Sequence, residues 1–173
     1  NLRATGDDLA GFGPETVDNY EFGFKSEWFN GHLSVRGAAF HTNISDMQVQ
    51  ITEVGPSGYP NQVLRNAAAD KVDGGELEAE FSLDDLFEGA DRLGLSGGLG
   101  ITRPHYTHFI DHSGPGGSVV DRSSQPFAFA PEATITLGAH YNAPVSVGSV
   151  DFRLDWHYQT KTYLDDSFQS LPV

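Results

Sequence analysis

The stretch that decides the fold is ETVDNYEFGFKSEWFNGHLSVRGAAFHTNISDMQVQ, which runs from Glu15 to Gln50. Its first arm alternates strictly between aromatic and polar residues. Because successive side chains of a strand point to opposite faces, this arm is predicted to be a strand with one aromatic and one charged face. The dipeptide Asn30-Gly31 tolerates positive φ angles and predicts a two-residue type I′ turn into a second antiparallel strand. The aromatic set is Tyr20, Phe22, Phe24 and Trp28, and the polar set is Asn19, Glu21, Lys25 and Glu27.

Similar alternation recurs along the chain and predicts about six long strands, which exceed the usual length of about five to six residues. The second strand changes parity between Val35 and Ala38, so a bulge near Gly37 is expected. Gly74-Gly75 predicts another kink or bulge. The connections after the first and fifth strands are short, whereas Thr52–Asn61 and His112–Gln125 are longer and polar. The predicted strands span about 16–29, 32–53, 63–83, 93–109, 131–142 and 150–161.

The composition limits the class of protein. The 173 residues suffice for one domain, and the absence of cysteine excludes disulfides and thiolate metal sites. A net charge of −14 argues against nucleic acid as a partner, because phosphate binding needs Lys and Arg. No run of 18 apolar residues is present, so no transmembrane helix is expected.

A soluble β-sandwich and a membrane β-barrel both alternate apolar and polar residues. They differ in what the apolar face contacts, which is a protein core in the sandwich and lipid in the barrel. Strand length and two aromatic girdles favour an all-β antiparallel meander that is a section of a transmembrane β-barrel, with lipid outside. A porin-like barrel and a secreted β-sandwich that binds or adheres remain alternatives. One girdle contains Trp28, Phe29 and Tyr141, and the other contains Tyr20, Phe109, Phe127, Phe129, Tyr158 and Tyr163.

The run from Pro14 to Gln50 resembles the barrel of TonB-dependent outer-membrane receptors. That family often shows a "PE-x-x-x-NYE-x-G-x-K" strand, a tight turn and then "L-x-x-x-x-A-x-F". Asn66–Ala68 with Gly75–Glu78 is similar to its next strand, and Pro131-Glu132 to its proline-marked strand starts. The resemblance covers about residues 14–164. The matching residues in the first run are Pro14, Glu15, Asn19, Tyr20, Glu21, Gly23, Lys25, Leu33, Ala38, Phe40, Asp46 and Gln48.

This resemblance implies that residues 1–173 are part of a 22-stranded barrel, without the plug domain, the TonB box or the terminal strand. It implies that the protein lies in the outer membrane of a Gram-negative cell and takes up iron–siderophore complexes. The implied partners are membrane lipid, the rest of the barrel and its plug, TonB through the missing N-terminal part, and the nutrient ligand. No enzymatic activity and no cofactor are expected.

The strongest cluster of potential ligands is His105, His108, Asp111 and His112, at the start of the second polar loop. Imidazole and carboxylate suit zinc or iron. In an unbroken strand, however, His105 and His108 would point to opposite faces, so a polar loop root is expected instead of a metal site. These four residues are the candidates for ligand contacts from the outer loops. No G-x-S-x-G elbow or phosphate loop is present, and no catalytic set is predicted.

Overall fold

The computed structural model describes residues 12–54, 58–87, 90–112 and 114–164. In these residues the chain forms one antiparallel sheet with strand order β1-β2-β3-β4-β6-β7, and the short β5 pairs with β4. This arrangement confirms the predicted all-β meander of six long strands. The strands are β1 (Thr16–Trp28), β2 (Leu33–Val54), β3 (Pro60–Asp84), β4 (Arg92–Asp111), β5 (Val120–Asp121), β6 (Ala133–Val145) and β7 (Gly148–Gln159).

The two ends of the sheet carry different connections. At the turn end lie residues 29–32, 85–87, 90–91 and 146–147, and at the loop end lie residues 58–59, 112 and 114–132. At the turn end, the connection 85–91 is closed by Asp91, which accepts hydrogen bonds from the Phe87 amide at 3.1 Å and the Tyr141 hydroxyl at 2.8 Å. These bonds hold the wide turn between β3 and β4 against β6.

The register separates the sheet into an apolar face and a polar face across all six long strands. Directly paired residues share a face, so each row of paired residues shows what that face carries. One row on the apolar face is Phe24, Gly37, Leu77, Leu99, Ile135 and Tyr158. The adjacent row on the polar face is Lys25, Arg36, Glu78, Gly98, Thr136 and His157.

The apolar face is not covered by a second layer in the described part of the chain. Phe22 is 76% exposed, and Phe152 and Leu154 are each more than half exposed. A β-sandwich would bury these side chains against an opposing sheet. The sandwich alternative therefore does not describe this structure, and the single open sheet fits a section of a barrel wall.

The first turn has the predicted backbone character but not the predicted length. Trp28 pairs with Leu33, so four residues and not two connect β1 and β2. Asn30 and Gly31 have φ angles of 56° and 89°, as expected, and Phe29 also has a positive φ of 54°. The amide of Gly31 donates to the Trp28 carbonyl at 3.2 Å. The preference of Asn-Gly for positive φ thus predicted the position of the turn correctly. The strand pairing ends at Trp28 and Leu33, one pair before the Phe29–His32 pair that a two-residue turn would have.

The bulges predicted at Gly37 and at Gly74-Gly75 are wrong. The pairing of β2 with β3 runs without a shift from Leu33 to Ile44, and its irregularities lie between Ile44 and Gln48. Phe40 therefore lies on the polar face, where its ring occupies the space above Gly74. The change in parity that suggested a bulge reflects an aromatic side chain that covers a glycine on the neighbouring strand.

Replacing Gly74 with valine is expected to destabilise the folded protein by about 1–3 kcal/mol. A Cβ at this position would meet the Phe40 ring and also the Ile101 carbonyl oxygen at 2.7 Å. Gly94→Val is the matched control, because a Cβ there meets only the His140 carbonyl at 3.9 Å. The measurement is denaturant unfolding of the full-length protein in detergent. Equal unfolding midpoints for the two variants would contradict this packing.

Buried apolar residues of the described chain lie at the loop end. Ile51, Ala68 and Phe109 are the buried hydrophobic residues, with Met47, Val49, Val63, Ala67 and Tyr106 packed against them. Phe109 was predicted to belong to an aromatic girdle facing lipid, but only 2% of its surface is exposed. The sheet thus has a small core only where its strands extend beyond the apolar rows.

Candidate ligand-binding site

The loop of residues 112–132 folds over the polar face at the loop end. Val72 lies on the polar face, because it is an even number of residues from Glu78 in the same strand. Val72 pairs with Pro104, so Tyr106, two residues further along β4, lies on the polar face as well. The Phe127 ring stacks on Tyr106 with centroids 4.1 Å apart and an interplanar angle of 20°. The loop is therefore directed inward, and its aromatic contact forms a shelf above the polar wall.

A buried ion pair anchors the root of this loop. The Arg122 guanidinium binds the Asp111 carboxylate, and the two side chains are 25% and 5% exposed. The Arg122 amide also donates to the Phe109 carbonyl at 2.7 Å. Removal of Arg122 would leave the Asp111 carboxylate buried without its cation, so we expect this pair to hold the loop in its docked position.

Ser123 connects the loop to β4 through a second set of hydrogen bonds. Its hydroxyl oxygen accepts a bond from the Phe109 amide at 2.9 Å, and its own amide donates to Asp121 Oδ1 at 2.9 Å. The amide and the hydroxyl of Ser123 lower the pKa of Asp121, which keeps this carboxylate ionised. The short strand β5, which pairs Asp121 with Ile110, is fixed to β4 by these contacts.

Asp70 lies on the polar face next to Tyr106. It pairs with Ile44 on one side and Tyr106 on the other, and only 2% of its surface is exposed. Its Oδ1 atom has no hydrogen-bond partner among the described residues. Burial raises the pKa of Asp70, and the nearby Glu15 carboxylate raises it further. Asp70 is the least satisfied charged group in this region.

The raised pKa of Asp70 predicts a pH dependence of the loop end, which lies beyond the apolar rows. The folded protein holds this proton more tightly than the unfolded chain does. Stability is therefore gained as pH falls through the raised pKa and is lost as pH rises above the unfolded value of 3.8. Asp70→Asn is expected to slow hydrogen exchange of the Phe109 and Arg122 amides at neutral pH. The variant should also show no gain in protection on acidification, and a gain equal to that of the wild type would contradict the assignment.

The polar face below the loop carries more carboxylates than cations. Arg36 lies between Glu78 at 3.1 Å and Glu80 at 2.8 Å, and Arg153 binds Asp155 at 2.7 Å. All these side chains are exposed, so solvent screens each pair and its contribution to the stability of the fold is small. Their arrangement gives a hydrated wall that can exchange its partners with an incoming molecule.

The segment before β1 is held to the loop end by a hydrogen-bond network. Asn66 donates to the Gly13 carbonyl at 3.0 Å and accepts from the Gly13 amide at 2.6 Å. Gln48 donates its side-chain amide to the Gly13 carbonyl at 3.0 Å and its backbone amide to Glu15 at 3.2 Å. Within β1 and β2, Thr42 donates to Asn19 at 2.6 Å. Residues of the motifs quoted from the sequence therefore lock the start of β1 to β2 and β3.

The four residues predicted as ligand candidates do not converge. Thr107 is an extra residue in β4, because Tyr106 pairs with Asp70 and His108 pairs with Ala69. This bulge puts His105 and His108 on the same face, on the apolar side of the sheet, which corrects the expectation of opposite faces. Asp111 is bound to Arg122, and His112 is exposed.

No group of three or more His, Asp or Glu residues in the described ranges could hold a metal ion. The four candidates therefore stay a prediction for ligand contact, without support as a metal site. Of the two predicted outer loops, Thr52–Asn61 is half strand, since β2 continues to Val54 and β3 begins at Pro60, and residues 55–57 lie outside the described part.

Sequence reasoning missed the residues that shape this site, which are Tyr106, Phe127, Arg122 and Asp70. Tyr106 lay inside the His-rich cluster but carried no periodic signal of its own. The partnership of Arg122 with Asp111 spans a polar Gly-rich loop, and no local pattern predicts it. An acidic residue in a predicted strand, such as Asp70, gives no sign in the sequence that it will be buried.

Residues 2–172 match the family described as TonB dependent receptor-like, beta-barrel. The chain belongs to this family. A solved structure with the same fold is the ferric yersiniabactin uptake receptor FyuA from Yersinia pestis, with a TM-score of 0.63 and 20% sequence identity. The match covers 90% of this chain and 20% of FyuA, so the chain spans about a fifth of that receptor.

Within the described residues, no helix has the length and apolar character needed to cross a membrane.

Proposed function

We propose that this chain is part of the barrel wall of an outer-membrane receptor that takes up iron–siderophore complexes in a Gram-negative cell. The observation that carries the proposal is the inward-folded loop, whose Phe127 stacks on Tyr106 at the loop end of the polar face. Such a shelf places aromatic and hydrogen-bonding groups at the mouth of the barrel, where a bulky chelate would arrive. Family membership and the similarity to FyuA, described as an uptake receptor, support the same role.

The apolar face supports location in a membrane. Exposed Phe22, Phe152, Leu154 and Trp156 would be solvated by lipid, and the charged rows of the polar face would line a wet lumen. Six long strands cannot close a 22-stranded barrel, so further strands must pair with the edges at β1 and β7.

The remaining parts of the transporter are proposed to lie elsewhere in the full-length protein. Loops and a plug domain would capture the ligand, and TonB would drive opening from the inner membrane through a TonB box. The exposed carboxylates of the polar wall, such as Glu78 and Glu80, would contact the plug or water. The role is transport and not catalysis, and it requires no resident cofactor.

The test measures binding and uptake of radioactive ferric siderophore by cells that carry the full-length protein as their single ferric-siderophore receptor. Tyr106→Ala and Phe127→Ala are expected to weaken ligand binding about tenfold, which corresponds to roughly 1.4 kcal/mol. Tyr158→Leu is the control, because Tyr158 lies on the apolar face and remains apolar after substitution. Normal binding in both shelf variants would remove this loop from the site. Failure of the unaltered receptor to transport any of a panel of ferric siderophores would refute the substrate class.

A further inference from the structure

The carboxylate of Asp70 is buried among uncharged side chains on the polar face at the loop end. Only 2% of the residue is exposed, and its Oδ1 atom has no hydrogen-bond partner among the described residues. A buried carboxylate costs free energy unless a hydrogen-bond donor or a cation compensates it. The neighbours of Asp70 on the same face are Thr42 and Ile44 of β2, Ala68 and Val72 of β3, and Pro104 and Tyr106 of β4.

The cations of the described chain do not compensate this carboxylate. None of them forms an ion pair with Asp70 in the described ranges, and Arg122 is bound to Asp111. Besides burial, the Glu15 carboxylate raises the pKa of Asp70, whereas His105 on the opposite face lowers it. A positively charged group from a ligand would relieve both the desolvation of Asp70 and its repulsion from Glu15.

Aromatic rings lie next to Asp70. Tyr106 pairs with it directly, and the Tyr106 ring lies between Phe127, at a centroid distance of 4.1 Å, and Phe109, at 4.9 Å. Phe109 is buried, whereas Tyr106 and Phe127 are only partly buried. Ring faces attract a cation, and a carboxylate beside them accepts its hydrogen bonds. This combination suits an ammonium group.

The same surroundings suit a metal ion less well. Calcium takes about six to eight oxygen ligands. Of the side chains that flank Asp70 on its own face, only Thr42 and Tyr106 carry an oxygen atom, and both oxygens are neutral hydroxyls. An ammonium group needs one carboxylate and the faces of the rings, so it fits this part of the wall better.

We propose that Asp70, Tyr106 and Phe127 form a subsite for a protonated amine carried by the ferric chelate. This inference rests on the proposed function and names the class of chelate, which is one with a free amine remote from its iron-binding groups. One N–H of the ammonium donates to Asp70 Oδ1, and the charge lies against the two rings. Rotation of the partly buried Tyr106 side chain opens the path to Oδ1.

The experiment compares two ferric trihydroxamate chelates that differ at one group. One chelate has a free terminal amine, and in the other this amine is acetylated. Binding of both is measured by titration of the full-length protein in neutral detergent at neutral pH. The wild type is expected to bind the amine form about tenfold more tightly, because its hydrogen bond joins two charged groups. Asp70→Asn should bind the two forms with nearly equal affinity.

Glu27→Gln is the control, because it removes a carboxylate from the polar face near the turn end, where Glu27 pairs with Ser34. This variant should keep the preference for the amine form. An equal loss of preference in Asp70→Asn and Glu27→Gln would overturn the subsite, since only the total charge of the wall would then matter. Equal affinity of the wild type for both chelates would overturn it as well. Loss of the preference on addition of calcium would show that Asp70 holds a metal ion instead.

A small probe tests the subsite without iron. Benzylammonium combines one ring with one ammonium group, whereas benzyl alcohol has the ring without the charge. The Phe109 amide is the reporter, because the Phe109 ring packs on Tyr106. An excess of benzylammonium should slow its hydrogen exchange in the wild type but not in Asp70→Asn, and benzyl alcohol should slow it in neither. Equal effects of the two probes on the wild type would count against the subsite.

The failure of this subsite and the failure of the proposed function are distinguishable. A receptor that transports ferric siderophores but binds the amine and acetylated forms equally refutes the subsite alone. A protein that binds benzylammonium through Asp70 but transports no ferric siderophore refutes the substrate class and leaves the amine subsite standing.

Discussion

Replacing Arg122 with alanine is expected to release the loop of residues 112–132 from the polar face. The substitution leaves the Asp111 carboxylate buried without its cation, and breaking a buried ion pair in this way costs about 3–5 kcal/mol. The lower end of that range applies because a quarter of the Arg122 side chain is exposed. Hydrogen exchange at the Phe109, Arg122 and Ser123 amides should accelerate roughly 100-fold, since 1.4 kcal/mol is a factor of about ten.

The double variant Asp111→Ala/Arg122→Ala distinguishes the effect of an unpaired buried carboxylate from other effects of the substitution on the loop. Once both charges are removed, no buried carboxylate lacks a partner, so the double variant should lose less protection than Arg122→Ala alone. Ligand binding should follow the same order, because the shelf made by Tyr106 and Phe127 depends on the docked loop. If the double variant were as open as the single variant, the ion pair would not be the anchor.

Replacing Leu137 with arginine is expected to destabilise the membrane-inserted protein by about 2–4 kcal/mol. Leu137 pairs with Gly97 and Trp156 near the middle of the apolar face, and 53% of its surface is exposed. In water an exposed leucine tolerates replacement by arginine, with changes usually within about 0.5 kcal/mol. A large cost therefore reports lipid contact and not packing.

The neighbouring Thr136 supplies the control, because it lies on the polar face of the same strand beside Gly98. Thr136→Arg should change the free energy of unfolding by a few tenths of a kcal/mol, as expected for an exposed position. The measurement is denaturant unfolding of the full-length protein in lipid vesicles. A cost for Thr136→Arg that matched the cost for Leu137→Arg would argue against lipid on one face and water on the other.

The fold could be read from the sequence because its main signal is local. A period of two places Phe24 and Lys25 on opposite faces wherever the strand lies, and the register then repeats this division across the sheet. Asn30-Gly31 marked the turn for the same reason, since positive φ is a property of the residues themselves. The family resemblance added the barrel, which alternation alone does not distinguish from a sandwich.

The parts that the sequence did not predict depend on contacts between distant segments. Phe40 and Gly74 are on different strands, so the filled space between them looked like two separate irregularities. The extra residue Thr107 reverses the facing of His108, and no feature of the surrounding residues announces it. The docking of Arg122 on Asp111 follows from how the loop returns to the sheet, and the burial of Asp70 has no local signal in the sequence.

The strands β2 and β3 continue past their neighbours at the loop end, and this has a practical consequence. Met47–Val54 pairs with Pro60–Ala68 beyond Thr16, the first residue of β1, which makes a two-stranded ribbon roughly 25 Å long at about 3.3 Å per residue. Ala68 at its base and Ile51 further along it are buried, whereas Tyr59 near its tip is 73% exposed. Exposed loop tips tolerate inserted sequence best. The position after Gly58 is therefore the point at which to insert a peptide for cell-surface display without disturbing the wall.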